Sequence, residues 1–347
     1  MKDKILVTGG TGYIGSHTAV ELINSGYQVV IVDNLSNSRE DVIDGIESIT
    51  GIRPRFENFD LCDTSKVSDF FSTHQDIKAI IHFAASKAVG ESVDKPLKYY
   101  RNNLQSLMNM LDSMIRFQIE NLVFSSSCTV YGQPEKLPVT EQSPILPAES
   151  PYGNTKQIGE EIIRDTVKAN DTVKAISLRY FNPVGAHDSI KIGELPLGVP
   201  ANLVPFITQT AAGMRKEISV FGSDYNTKDG SAVRDYIHVV DLAKAHVIAV
   251  ERMVKEKQKA AYEVFNLGTG NGYSVLEVIE AFEKSTGEKL NYKIVGRRAG
   301  DIEKVWADTS FANRELGWKA GLDLESMMLS SWKWQQHLMA NKEKYYE

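Results

Sequence analysis

Along the first half of the chain, short apolar runs alternate with stretches whose apolar positions recur every three or four residues. The runs are Lys4-Ile-Leu-Val-Thr8, Tyr27-Gln-Val-Val-Ile-Val-Asp33, Arg55-Phe-Glu-Asn-Phe-Asp60, Ala79-Ile-Ile-His-Phe-Ala84, Asn121-Leu-Val-Phe-Ser125 and Ala175-Ile-Ser-Leu-Arg-Tyr180. Most have the length and aliphatic content of a strand buried on both faces. Helical spacing fills the gaps: from Tyr13 through Leu22, and over 38–49, 66–72, 97–117 and 152–167. This alternation predicts an α/β fold, a Rossmann-type doubly wound parallel sheet. Beyond Asn182 proline and glycine rise and the repetition stops. The change places one domain over 1–182 and a smaller C-terminal α/β lobe over 183–347, with 235–268 returning to the main sheet.

A chain of 347 residues is long enough for two packed lobes. Charged residues make up 24% and the net charge is −6, so no basic face invites nucleic acid. The two cysteines, Cys62 and Cys128, lack metal-type spacing and suit a reducing compartment. The seven histidines are scattered, so no metal is expected. The chain runs at once into a strand and carries no membrane-length apolar run, so no signal peptide and no membrane are expected and the location is read as cytoplasmic.

Candidate chemistry begins at the first strand-to-helix turn. There Gly9-Gly-Thr-Gly12-Tyr13-Ile14-Gly15 spaces Gly9, Gly12 and Gly15 three residues apart. Glycines at these places allow a tight turn, a close approach by a pyrophosphate and close helix–strand packing. The helix N-terminus that follows offers N–H groups to phosphate. The next strand ends in Asp33, which suits two ribose hydroxyls and repels a 2′-phosphate, so the turn reads as an NAD site.

A second constellation is Tyr152-Gly-Asn-Thr-Lys156, behind the helix-start signals Ser150 and Pro151. Residues four apart share one helix face. An ammonium beside a phenol favours phenolate, so the pair is expected to draw the tyrosine pKa down from about 10 and make a general base. The strand before it ends in Ser125-Ser-Ser127, at the sheet edge where ligands sit, and Ser127 can hold the oxygen that Tyr152 deprotonates.

These motifs, with Lys87-Ala-Val-Gly-Glu-Ser92, Arg179-Tyr-Phe-Asn-Pro-Val-Gly-Ala186, Val233-Arg-Asp-Tyr-Ile-His-Val239 and Arg297-Arg-Ala-Gly-Asp301, resemble the UDP-hexose 4-epimerase family of extended short-chain dehydrogenase/reductases. The likeness runs over essentially the whole chain. It implies an NAD-dependent isomerase acting on a UDP-hexose, with Ser127, Tyr152 and Lys156 as catalytic residues. It implies that Gly9, Gly12, Tyr13, Ile14, Gly15, Asp33, Asn34, Asn37, Ser38, Asp60, Leu61, Phe83, Ala84, Lys87, Asn102 and Phe181 hold the cofactor. Asn182, Asn202, Leu203, Phe221, Arg234, Arg298, Asp301 and Val305 are implied to hold the UDP-sugar. Two arginines suit a diphosphate, because a planar fork pairs bidentately with phosphate oxygens; read without the resemblance, both could be surface ion-pair residues.

Other readings stay open. Sugar-nucleotide 4,6-dehydratases share the Tyr/Lys pair but carry an Asp-Glu pair where this chain has Cys128-Thr129. A catalytically silent NAD-sensing protein would have little reason to keep Ser127, Tyr152 and Lys156 together. Val305 stands where some family members carry a tyrosine, so N-acetylated UDP-hexoses are also expected substrates unless the valine is ordinary packing. The amphipathic stretches 97–117 and 152–167 could form the seam of a homodimer, as the resemblance implies, or could cover the sheet.

Overall fold

In the computed structural model, which describes residues 3–298 and 301–346, all six apolar runs become strands of one parallel sheet. The chain order opens with β1 (Lys4–Thr8), α1 (Tyr13–Asn24), β2 (Gln28–Asp33), α2 (Val42–Thr50), β3 (Arg55–Asn58), α3 (Thr64–Thr73) and β4 (Ile77–His82). It continues through α4 (Val89–Asp94), α5 (Pro96–Phe117), β5 (Asn121–Ser127), a single 3₁₀ turn over Cys128–Tyr131, α6 (Pro151–Ala169), β6 (Lys174–Tyr180) and β7 (Asn182–Val184). Next come α7 (Leu203–Ala211), β8 (Ile218–Phe221), β9 (Val233–His238), α8 (Val239–Val254), β10 (Tyr262–Leu267), β11 (Gly272–Ser274) and α9 (Val275–Thr286). The chain closes with β12 (Tyr292–Val295), β13 (Lys304–Val305), α10 (Ser310–Leu316), α11 (Leu324–Ala340) and α12 (Lys342–Tyr346).

The main sheet runs β10-β6-β5-β4-β1-β2-β3. Successive side chains of a strand point to opposite faces, and both faces are covered. Ile5, Val7, Val29 and Ile31 enter one core with α1, α2 and α8, while Leu6, Val30 and Val32 enter the other with α3, α5 and α6. Burying such a side chain contributes about 1.5–3 kcal/mol, so a one-residue slip of β1 or β2 would exchange its two faces and mismatch both cores. The strand order reverses between β1 and β4, and the two carboxyl ends part to leave a crevice.

Three segments depart from the pattern reading. The expected helix over 38–49 starts only at Val42, because Ser38 donates to Asp33 and Arg39 pairs with Asp41, making 38–41 a bonded turn. The strand expected to reach Asp60 stops at Asn58, since the Asp60 carboxylate turns to accept the Cys62 N–H. The strand expected over 79–84 runs from Ile77 to His82, and Phe83-Ala84 bends off beneath the glycine turn.

After β6 the chain builds β11-β9-β13, with β7 pairing β9, and the two-stranded β8–β12. Helices α7, α9 and α11 enclose a third core around Phe282, Met327 and Trp332. From this region α8 packs on α1, and β10 joins the main sheet beside β6.

Candidate active site at the carboxyl edge of the sheet

The glycine turn is as tight as its spacing predicts. Gly9 has φ +68°, and a Cβ there would lie 2.8 Å from the Ala84 nitrogen. Gly12 starts α1 with no side chain capping it, which leaves that helix end to a ligand. At the end of β2 the Asp33 carboxylate accepts N–H groups from Thr11 (3.2 Å) and Leu35 (2.9 Å) and the Ser38 hydroxyl (3.2 Å). Ser38 also meets the Thr11 hydroxyl at 2.7 Å, so the acid is fixed beside the turn. Asn34 donates to Asp60 at 3.2 Å, joining the ends of β2 and β3, and Leu61 is buried next to them. Asn37 is exposed on the same rim. Asn102 donates to Asn103, whose carbonyl oxygen also receives the Ser86 N–H.

Across the crevice, Tyr13 donates its hydroxyl to the Gly185 carbonyl at 2.6 Å, while Ile14 packs into the core. Phe83 rests on the His246 ring at 4.7 Å between centroids. Lys87 reaches Glu194 at 3.2 Å, and the same carboxylate oxygen accepts Asn202 at 2.8 Å. Residues expected on the cofactor and on the sugar are thus tied to one acid. Arg234 and Arg298 converge on Asp301, at 3.8 and 2.7 Å, with the Arg298 guanidinium 5.5 Å from the centre of the Phe221 ring. Their motif also contains Ala299 and Gly300, which lie outside the described residues. Asn182 sits on β7, and Leu203 opens α7. Val305 is only 1% exposed, in an apolar cluster with Cys128, Tyr131 and Phe181.

The Tyr–Lys helix begins where the sequence signals it. Ser150 has φ −150° and its hydroxyl accepts the Gly153 N–H at 3.2 Å, with Pro151 at the first helical position. Lys156 is 4% exposed and donates to the Ser125 carbonyl at 2.6 Å; its nitrogen lies 5.9 Å from the centre of the Tyr152 ring. Ser127 accepts the Thr129 N–H through its hydroxyl oxygen, which leaves its own proton free to donate.

One electrostatic expectation is corrected. The phenol of Tyr152 is not drawn down: burial pushes it up to about 12, and a hydrogen bond with Ser127 only partly offsets this. The ammonium expected to lower it is directed to the Ser125 carbonyl and is itself pushed down to about 8 by burial, against the raising effect of Glu160. Desolvation outweighs pair attraction when both groups leave water.

Sequence reasoning passed over the buried polar groups behind this face. Glu160 and Arg179 form an ion pair, 3% and 5% exposed, that also engages Ser126 and Tyr131. Arg179 lies inside a run read as a strand buried on both faces, and a charge in such a place requires a partner. That was the available signal.

The sequence matches the family model described as GDP-mannose 4,6 dehydratase over residues 6–330. It is 52% identical over 331 residues to a UDP-glucose 4-epimerase of Bacillus subtilis, covering 95% of this chain and 96% of that one. The fold superposes with a TM-score of 0.94 on a UDP-glucose-4-epimerase from Stenotrophomonas maltophila crystallised with NAD and formylated UDP-arabinopyranose; identity is 47%, over 98% of this chain and 100% of that one. A UDP-glucose 4-epimerase from Bifidobacterium longum in complex with NAD+ and UDP gives a TM-score of 0.92 at 48% identity, over 96% and 98%.

Proposed function

The chain belongs to the UDP-glucose 4-epimerase family, and we propose that it interconverts UDP-glucose and UDP-galactose by inverting sugar C4 through a transient 4-keto sugar. The single observation that carries this is the joint placement of Ser127, Tyr152 and Lys156 at the carboxyl edge of the sheet, next to a turn built for a dinucleotide. The turn fits NAD: a Cβ at Gly9 would fill the approach to the backbone, the α1 N-terminus has no side-chain cap, and the fixed Asp33 carboxylate opposes a 2′-phosphate. When bound, NAD supplies the hydride acceptor and donor for sugar C4 and a positive ring charge. Residues 1–182 are read as its domain and 183–347 as the substrate lobe.

Tyr152 takes the proton of the 4-hydroxyl and gives it back to the same oxygen once the sugar has presented its opposite face, while Ser127 holds that oxygen. Lys156 keeps positive charge under the phenol. Arg234 and Arg298 fork onto the diphosphate, and Asp301 holds both arginines in place. The charged residues grip the nucleotide, whereas Cys128, Phe181 and Val305 nearby are apolar. A grip confined to the nucleotide leaves the keto sugar free to turn over. The dehydratase reading finds no support at Cys128 and Thr129, where a buried thiol and a hydroxyl stand in place of the Asp-Glu pair.

Purified protein given UDP-galactose should form UDP-glucose; no product even after addition of NAD sinks the reading. N-acetylated UDP-hexoses are proposed as further substrates, because Val305 stands where some family members carry a tyrosine and offers no phenol ring to wall off a sugar 2-substituent. Wild type should then turn over UDP-GlcNAc and Val305→Tyr should lose this while keeping UDP-galactose activity. A wild type inert toward UDP-GlcNAc ends that extension. A cytoplasmic homodimer is part of the same reading. Leu97, Met108 and Ile115 of α5 are exposed, and no helix among the described residues is long and apolar enough to cross a membrane.

A further inference from the structure

Three consecutive serines at the end of β5 meet three successive levels of α6. The Ser125 carbonyl receives Lys156 at 2.6 Å, the Ser126 hydroxyl donates to Glu160 at 2.6 Å, and the Ser127 hydroxyl stands by Tyr152. Tyr152, Lys156 and Glu160 are spaced four apart and share one helix face. Behind them Arg179 of β6 donates from Nε to Glu160 at 2.8 Å and from Nη1 to the Tyr131 hydroxyl at 3.0 Å; that hydroxyl donates to Asn266 of β10 at 2.6 Å. Ser126, Tyr131 and Asn266 are 0% exposed. The carboxylate therefore ties α6 to β5, β6, the 3₁₀ turn and β10.

We propose that Glu160 is a positioning residue of this site: held by Arg179 and Ser126, it pins α6 in register along β5 and sets its carboxylate one helical turn from the Lys156 ammonium. A slide of α6 by one turn would separate Tyr152 from Ser127 by about 5.4 Å, and the Glu160 contacts oppose any such slide from the side away from the substrate. The charge argument is equally local. Lys156 is enclosed by the Phe124 ring and the Ser125 carbonyl of β5, by Tyr152 and Glu160 of its own helix, and by His82 of β4. Around Tyr152 and Glu160 in turn stand Tyr99 of α5, Cys128 of the 3₁₀ turn, Arg179 and Tyr180 of β6 and Tyr262 of β10, with Tyr131 of the 3₁₀ turn on Arg179 and His246 of α8 beside Tyr180. Burial holds the tyrosines and Cys128 protonated and the histidines neutral near pH 7. Of these groups only Glu160 bears a negative charge, and its attraction to Lys156 is the one opposing the effect of burial.

The role of Lys156 in epimerisation rests on the proposed function, so the test also reads Lys156 without turnover. Glu160→Gln alone would strand a buried guanidinium, so Glu160→Gln is combined with Arg179→Met, which removes both charges. In protein carrying ε-¹³C-lysine, with the Lys156 signal assigned by Lys156→Met, the titration midpoint should fall below its wild-type value of about pH 8 in the double variant. The alkaline limb of the kcat profile should move down with it. An unchanged midpoint overturns the charge role whether or not the chain is an epimerase. Ser126→Ala keeps both charges and cuts one bond to the carboxylate; it should lower kcat about tenfold at unchanged KM, with the Lys156 midpoint unmoved. A wild-type kcat in Ser126→Ala overturns the register role, and this decides the matter if the double variant does not fold. If wild type has no activity toward UDP-hexoses, the proposed function fails and the Lys156 titration still judges Glu160.

Discussion

In the proposed cycle Tyr152 has to lose a proton, yet burial holds its phenol near 12. The chain's own charges therefore do not make it a ready base, and the positive charge of Lys156 has to be kept close. Tyr152→Phe should retain bound NAD and lower kcat about 10²–10⁴-fold, the usual range for a lost acid–base group; a kcat within threefold of wild type removes Tyr152 from the role. Lys156 is charged below its pKa, which burial lowers to about 8. Activity that depends on the ammonium is thus present below pH 8 and lost as pH rises through it, and a kcat–pH series checks this. The meeting of Tyr152, Lys156 and Ser127 at one sheet edge was legible because each is marked by neighbours in sequence. Glu160 and Arg179 were not, because their meaning lies in a contact between a helix and a strand that only folding creates.

Helix α6 carries the proposed base Tyr152 in its first turn, so its start matters more than its length. Ser150→Ala removes the cap on Gly153 and should destabilise the protein by about 1 kcal/mol, read as a lower urea midpoint, together with a fall in kcat because Tyr152 lies within the loosened turn. Helix α1 depends on its glycines instead. A Cβ at Gly15 would lie 2.8 Å from the Gly10 Cα, and backbone cannot move aside as a side chain tip can. Gly15→Ala should cost about 1–3 kcal/mol and abolish retention of NAD through gel filtration. Strands were readable from their aliphatic runs, and most boundaries lie within two residues of the pattern. The exception over 38–41 arose because side-chain bonds to Asp33 and Asp41 outcompete helix there, and hydrophobic spacing does not register such bonds.

Over the whole molecule, buried histidines make the fold sensitive to acid. Burial lowers His17 and His82 to about 3 and His238 and His246 to about 4. These folded values lie below the unfolded one near 6.5, so the stability they confer is complete above pH 6.5 and lost as pH falls toward 3–4. At pH 5 each costs up to about 2 kcal/mol, and thermal melts should show Tm dropping steadily between pH 7 and pH 5; a flat Tm over that span contradicts these values. The doubly wound sheet was legible at this scale, since its strands and helices alternate in order. The pairings of β7, β11 and β13 with β9 were not, because those strands are two to six residues long and joined by irregular chain that carries no period. What the assembled molecule is proposed to do is run a redox cycle at one carbon that closes on itself. The direct measurement is turnover of UDP-[4-²H]galactose in ordinary water. The account predicts UDP-glucose with deuterium retained at C4, whereas loss of the label to solvent would contradict it.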